Sequence, residues 1–239
     1  YLREAVDSVL AQTKPAHEIL VIDNGREAVD TAQLPVSETL RVIRALPRFG
    51  VAQARNLGAI LATGDYIAFL DDDDRWERHY LAEVARAIEE SGAELVFGRL
   101  RDGATGIPCN RKQAAFRDRE DLIRQILVRN PGVGGSNTVV ARKQFIRTSG
   151  YDPWLTTGED KGLVLDLLLM GKVCPTRAEK AWVEFRLDTE GARQTELSKR
   201  IQGKRRFLRK YWSRMNWYER LFNLAQLSRL GLRHWFGAA

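Results

Sequence analysis

A chain of 239 residues with 44% hydrophobic and 29% charged side chains has the composition of a soluble globular protein, with ample length for a core. No apolar run approaches the roughly 18 residues of a membrane-spanning helix, and the opening residues do not read as a signal peptide. The formal net charge of +7 hints at nucleic acid, but residues 204–239 hold nine Lys/Arg against one acid, Glu219, so the preceding 203 residues sum to −1 and offer no basic groove.

The chain opens with YLREAVDSVLAQ, residues 1–12, whose apolar residues recur at helical spacing. EILVID (18–23) is a short apolar run of the kind that forms a buried strand, and LRVIRAL (40–46) is a second. GVAQARNLGAILA (50–62) has helical period, YIAFLD (66–71) is strand-like, and ERHYLAEVARAIEESG (77–92) is a helix closed by glycine. AELVFGRLR (93–101) completes the alternation. Strands alternating with helices predict an α/β fold with a mostly parallel, Rossmann-like sheet flanked by helices. Ligands bind such sheets beyond the carboxyl ends of the strands.

After residue 101 the rhythm changes. DREDLIRQILVRN (118–130) reads as a helix, and the stretch from Pro131 as a glycine-rich loop, a short strand and a helix. GEDKGLVLDLLLMGK (158–172) begins with acids and becomes a strongly apolar helix, and AWVEFRLD (181–188) is strand-like. The two cysteines, Cys109 and Cys174, lack metal-ligand spacing and fit a reducing compartment. With three histidines in the chain, a histidine-rich zinc site is a poor fit.

Asp71, Asp72, Asp73 and Asp74 follow the apolar run at 66–70 directly. Like charges side by side repel, so the cluster calls for water or a cation. Carboxylate oxygens suit Mg²⁺ or Mn²⁺, which retain substrate phosphates as further ligands. In an extended segment Asp71 and Asp73 share one side, Asp72 and Asp74 the other. Acids also favour helix N-termini, so capping of the following helix is the competing reading, although a cap needs fewer than four.

These stretches, EILVIDNG, GVAQARNLGAILATGDYIAFLDDDDRW and GEDKGLVLDLLLMGK, resemble the family 2 glycosyltransferases of GT-A fold over roughly residues 1–190. The resemblance implies a GT-A-like α/β fold and an inverting, metal-dependent transfer of sugar from a nucleotide-diphosphate sugar to a glycan or lipid-linked acceptor in cell-surface polysaccharide synthesis. It implies that Asp23 and Asn24 contact base and ribose, with Asn24 standing where the family has Asp. It places Arg55 near the nucleotide and Asp72 against sugar or ribose, and makes Asp71 and Asp73 the ends of a DXD motif holding Mn²⁺ or Mg²⁺. Asp160 matches the catalytic base, although GED also suits a helix cap and Arg55 a solvated helix position. Asp188 stands near where relatives carry a metal-linked His, a substitute ligand. Family members begin with a strand ahead of the helix matched by residues 1–12, and that strand is expected to be missing here. Residues 1–101 then form the nucleotide-sugar half, 102–198 the acceptor and catalytic half, and 199–239 a basic amphipathic helical tail. The competing functions are a nucleotidyltransferase of similar fold and an inactive nucleotide-sugar-binding relative.

The tail interleaves Phe207, Leu208, Tyr211, Trp212, Met215, Trp217, Leu221 and Phe222 with arginines. This pattern suits a cationic helix lying on an anionic membrane, or one packed on the body with a solvated basic face. The first arrangement implies an enzyme peripheral to the inner face of the membrane, the second a cytoplasmic one.

Overall fold

The computed structural model describes residues 1–47, 49–109, 113–171, 173–186 and 197–236, the last of these with side chains to residue 231. Asp188 lies outside the described residues. Helix α1 (Leu2–Leu10) precedes a parallel pair, β1 (Ile19–Asp23) and β2 (Leu40–Arg44), in a register that sets Asp23 opposite Arg44. Helix α2 (Val51–Leu61) packs on β1 closely enough that a Cβ at Gly58 would stand 3.1 Å from Ile22. Then come β3 (Tyr66–Ala68), β4 (Arg75–Trp76), α3 (Tyr80–Ser91) and β5 (Leu95–Asp102). Gly92 closes α3 in the left-handed conformation, φ 64°.

The second half supplies α4 (Arg119–Val128), β6 (Thr138–Ala141), the short α5 (Arg142–Phe145), α6 (Glu159–Leu169), β7 (Pro175–Phe185), α7 (Leu197–Tyr211) and α8 (Trp217–Phe236). Five strands form one sheet in the order β3-β6-β5-β7-β4. Only β5 and β7 run parallel within it; β3–β6, β5–β6 and β4–β7 are antiparallel. The α/β class therefore holds, but the sheet is mixed rather than mostly parallel. Local pattern could not show this, because β5 and β6 are apolar on both faces whichever way they run.

Side chains of β5 alternate between two cores. Leu95 and Phe97 face the layer of α4 and α6, while Val96 faces α3 and α1. Paired across from them, Val140 joins the first core and Val139 the second. Helix α6 is buried almost all round, as its unbroken apolar run dictates, and Asp166 accepts from Lys210 Nζ at 2.9 Å and Tyr211 Oη at 2.9 Å.

Those two bonds come from α7, so the first half of the tail belongs to the core. Phe207, Leu208, Tyr211 and Met215 are all buried there. At Gly203 the helix backbone lies on the loop before α6. A Cβ there would meet the Thr157 side chain, its N at 2.9 Å and its O at 3.0 Å. Gly203→Ala is expected to lower stability by about 1–3 kcal/mol, the usual effect of overpacking. Urea unfolding measures it, and an unchanged midpoint would show that α7 docks elsewhere.

Candidate active site

Where β3 ends, the chain enters the acidic loop, and three neighbouring segments hold it. The Asp71 N–H donates to Ser136 Oγ at 3.1 Å, and that hydroxyl donates to Asp74 Oδ2 at 2.6 Å. Arg186 N–H donates to Asp74 Oδ1 at 3.0 Å, and Trp76 Nε1 donates to the Ser136 carbonyl at 2.8 Å. Asp74 is thus a buried clamp between the loop, the segment 134–137 and the end of β7. Asn137, fully buried, fixes that segment through Nδ2 to the Gly98 and Gly132 carbonyls at 2.8 and 2.9 Å.

Asp71 turns instead to Arg55 on α2. The Arg55 guanidinium donates through Nη2 to Asp71 Oδ1 at 2.5 Å and through Nη1 to Asp160 Oδ1 at 2.8 Å. Glu159 Oε1 stands 3.5 Å from Nη1, and the Tyr151 ring centroid lies 5.1 Å from the guanidinium carbon. Tyr151 is held by the next residue of α2: its N–H donates to Asn56 Oδ1 at 2.7 Å, and Asn56 Nδ2 donates to its carbonyl at 2.9 Å. Gly135 closes the cluster. A Cβ there would collide with the guanidinium, and its backbone N–H weakly lowers the Asp160 carboxyl.

One cation thus gathers three carboxylates in a water-poor place. Burial opposes the charge of Arg55, but Asp160 and Asp71 outweigh it and hold its pKa well above the ordinary value. For Asp160 burial dominates and pushes the carboxyl up to about 7; Arg55 pulls down, while Glu159 and Asp71 push up. Asp72, on the exposed side of the loop, is also raised, first by lost hydration and then by Asp73 and Asp71.

Of the residues singled out in the sequence, Arg55, Asp71 and Asp160 meet, and Asp72 and Asp73 continue the same loop. Asp23 and Asn24 lie at the end of β1 with partners of their own. Asp23 is buried and accepts from Gly25 N at 3.1 Å, Val29 N at 2.9 Å and Arg44 Nη1 at 2.7 Å. Burial raises its carboxyl, but those N–H donors and Arg44 lower it further. Asn24 Nδ2 donates to the Phe49 carbonyl at 2.8 Å. Asp23 therefore shapes the turn after β1, whatever else it touches. Glu159, Tyr151, Asn56, Gly135 and Ser136 carry no assignment from sequence; the glycine pair before Ser136 is the one visible signal of a close approach.

Among the described residues no group of three His, Cys, Asp or Glu side chains surrounds a common point, so these residues form no closed metal cage. The donors do fit a hard divalent cation. Asp71, Asp72 and Asp73 supply oxygen alone, the donor type such a cation takes. A site of one or two carboxylates completed by substrate phosphate matches that set.

Residues 1–147 match the model of Glycosyl transferase family 2. The chain is 30% identical over 102 residues to the glycosyltransferase GlyG of Streptococcus pneumoniae, covering 41% of this chain and 34% of GlyG. It is 27% identical over 176 residues to TuaG of Bacillus subtilis, named for teichuronic acid biosynthesis, covering 72% of this chain and 68% of TuaG. The chain thus spans about a third of GlyG. Among solved structures, S. aureus TarS 1-349 in complex with UDP-GlcNAc superposes with a TM-score of 0.63 at 16% identity, over 88% of this chain and 62% of TarS 1-349. Likeness at that identity establishes the fold, a GT-A glycosyltransferase fold.

The raised Asp160 carboxyl has a consequence for stability in the free protein. Its folded pKa of about 7 lies above the ordinary carboxylate value, so between about pH 4 and pH 7 the folded state binds more protons than the unfolded one. The contribution of this group is fully present below that window and is lost as pH rises through it. Asp160→Asn is expected to flatten this fall. Urea unfolding of both proteins from pH 4 to 8 checks it, and parallel profiles would mean that Asp160 titrates normally.

Proposed function

The chain belongs to glycosyltransferase family 2, and on that premise we propose that it transfers a sugar from a nucleotide-diphosphate sugar to a glycan or lipid-linked acceptor, with inversion, in cell-surface polysaccharide synthesis. The observation that carries this reading is the Arg55 bridge, which ties the acid at a strand end to the acid at a helix start. Asp71 borders the donor diphosphate. Asp160, ionised, takes the acceptor proton as the acceptor oxygen bonds to the anomeric carbon and the bond to the diphosphate breaks. One displacement without a protein nucleophile inverts the configuration. A carboxyl near 7 is matched to work as a base close to neutral pH.

Asp71 and Asp73 are the residues that would hold Mn²⁺ or Mg²⁺, with Asp72 toward sugar or ribose and Asp23 and Asn24 toward the base. Such a cation, when bound, neutralises charge on the departing diphosphate. The TarS structures with UDP and UDP-GlcNAc support trying uridine nucleotides first, and the TuaG likeness supports a cell-wall polysaccharide as acceptor. The nucleotidyltransferase alternative loses ground to the family match.

Two outcomes follow. UDP should bind markedly more tightly in Mn²⁺ than in EDTA by calorimetry, since the cation needs phosphate oxygens to complete its shell. Equal affinities would sink the metal bridge. Asp160→Asn should keep donor binding while turnover, measured with a panel of nucleotide sugars, falls by about 10²–10⁴-fold; wild-type turnover would reduce Asp160 to a helix cap.

A further inference from the structure

Helix α8 is inside out. Three of its polar residues, Glu219, Asn223 and Gln226, face the body and find partners there. Glu219, 3% exposed, accepts from Arg124 Nη1 at 3.2 Å and from Asn216 N at 2.8 Å. Asn223, 0% exposed, donates to the Leu127 carbonyl at 2.9 Å and accepts from Lys204 Nζ, which also donates to Gln226 Oε1 at 2.8 Å. These bonds fix the rotation of the helix, because turning it over would bury unpaired polar groups.

The opposite side is apolar and uncovered. Trp217, Leu221 and Leu224, at helical spacing, are 76%, 59% and 45% exposed, with Tyr218 and Phe222 beside them. Contiguous aromatic and aliphatic surface facing water marks an interaction site. The segment that carries it is cationic. Glu219 is the one acid in residues 204–239, and it is buried and paired, whereas Arg205, Arg209, Arg214 and Arg229 are exposed. A second copy would bring like charge against like, and residues 1–203 sum to −1 and offer nucleic acid no basic groove.

We propose that α8 seats the protein on an anionic lipid bilayer, with the Trp217–Leu221–Leu224 stripe at the boundary of headgroups and acyl chains and the flanking arginines on lipid phosphates. This is surface binding. Among the described residues no helix is long and apolar enough to cross a membrane. Helix α7, bonded to α8 through Lys204, also hydrogen-bonds the helix that begins with Glu159 and Asp160, which links the anchor to the candidate site.

Flotation of the full chain with vesicles tests this without any need for turnover, so its outcome is separate from that of the transferase reading. The probes are vesicles of phosphatidylcholine alone and of phosphatidylcholine with phosphatidylglycerol, at low and high salt. The protein is expected to float with the anionic vesicles, more weakly at high salt. Trp217→Ser with Leu221→Ser should reduce partitioning by about tenfold or more through lost apolar burial, with unchanged thermal unfolding because both side chains face solvent. Three results would overturn the proposal. They are no flotation with anionic vesicles, equal flotation of wild type and double variant, and a concentration-dependent dimer, seen by sedimentation, that the double variant abolishes.

Discussion

The Arg55 guanidinium is the joint on which the candidate site depends. It sits in a water-poor place where an unpaired charge of either sign is costly, and it satisfies Asp71 and Asp160 at once while Glu159 stands close by. Asp71 comes from the end of a strand and Asp160 from the start of a helix 105 residues beyond Arg55. A planar fork with donors in fixed directions can hold two carboxylates in one geometry, which a lysine point charge cannot. Tyr151 beneath the fork and Gly135 against it leave it little freedom.

The four consecutive aspartates divide their work. Asp74 turns inward and locks the loop to Ser136 and Arg186; Asp71 meets Arg55; Asp72 remains on the exposed side beside Asp73. Repulsion within the run is relieved at both ends by these partners. Between them the Asp72 carboxyl is raised, by lost hydration first and by Asp73 and Asp71 next. The cluster is therefore a structural clamp as well as the proposed ligand rim, and the helix-capping reading is the one it does not need. Helix α3 begins at Tyr80, several residues further on.

The tail carries two different helices under one composition. Helix α7 gives its aromatic side to the core, and α8 gives its polar side to the body and its aromatic side to solvent. Both are cationic and amphipathic in sequence. They differ in what they meet: α7 lies on the apolar α6, whereas α8 meets Arg124, Lys204 and the Leu127 carbonyl, which demand hydrogen-bonding partners.

Most of the elements were legible in local pattern, as were the acids that follow two of the strands. Apolar runs of strand length, helical spacing at 1–12 and 77–92, and acids at strand ends are local patterns, and the structure keeps them, though β3 ends at Ala68 and β7 begins at Pro175. The strand directions, the meeting of Arg55 with Asp160, the support from Asn56 and Tyr151, and the outward turn of α8 were decided by tertiary structure alone. Each depends on which distant group offers a complementary charge, donor or surface. A residue's own neighbours in sequence carry no record of a partner that only folding brings within 3 Å.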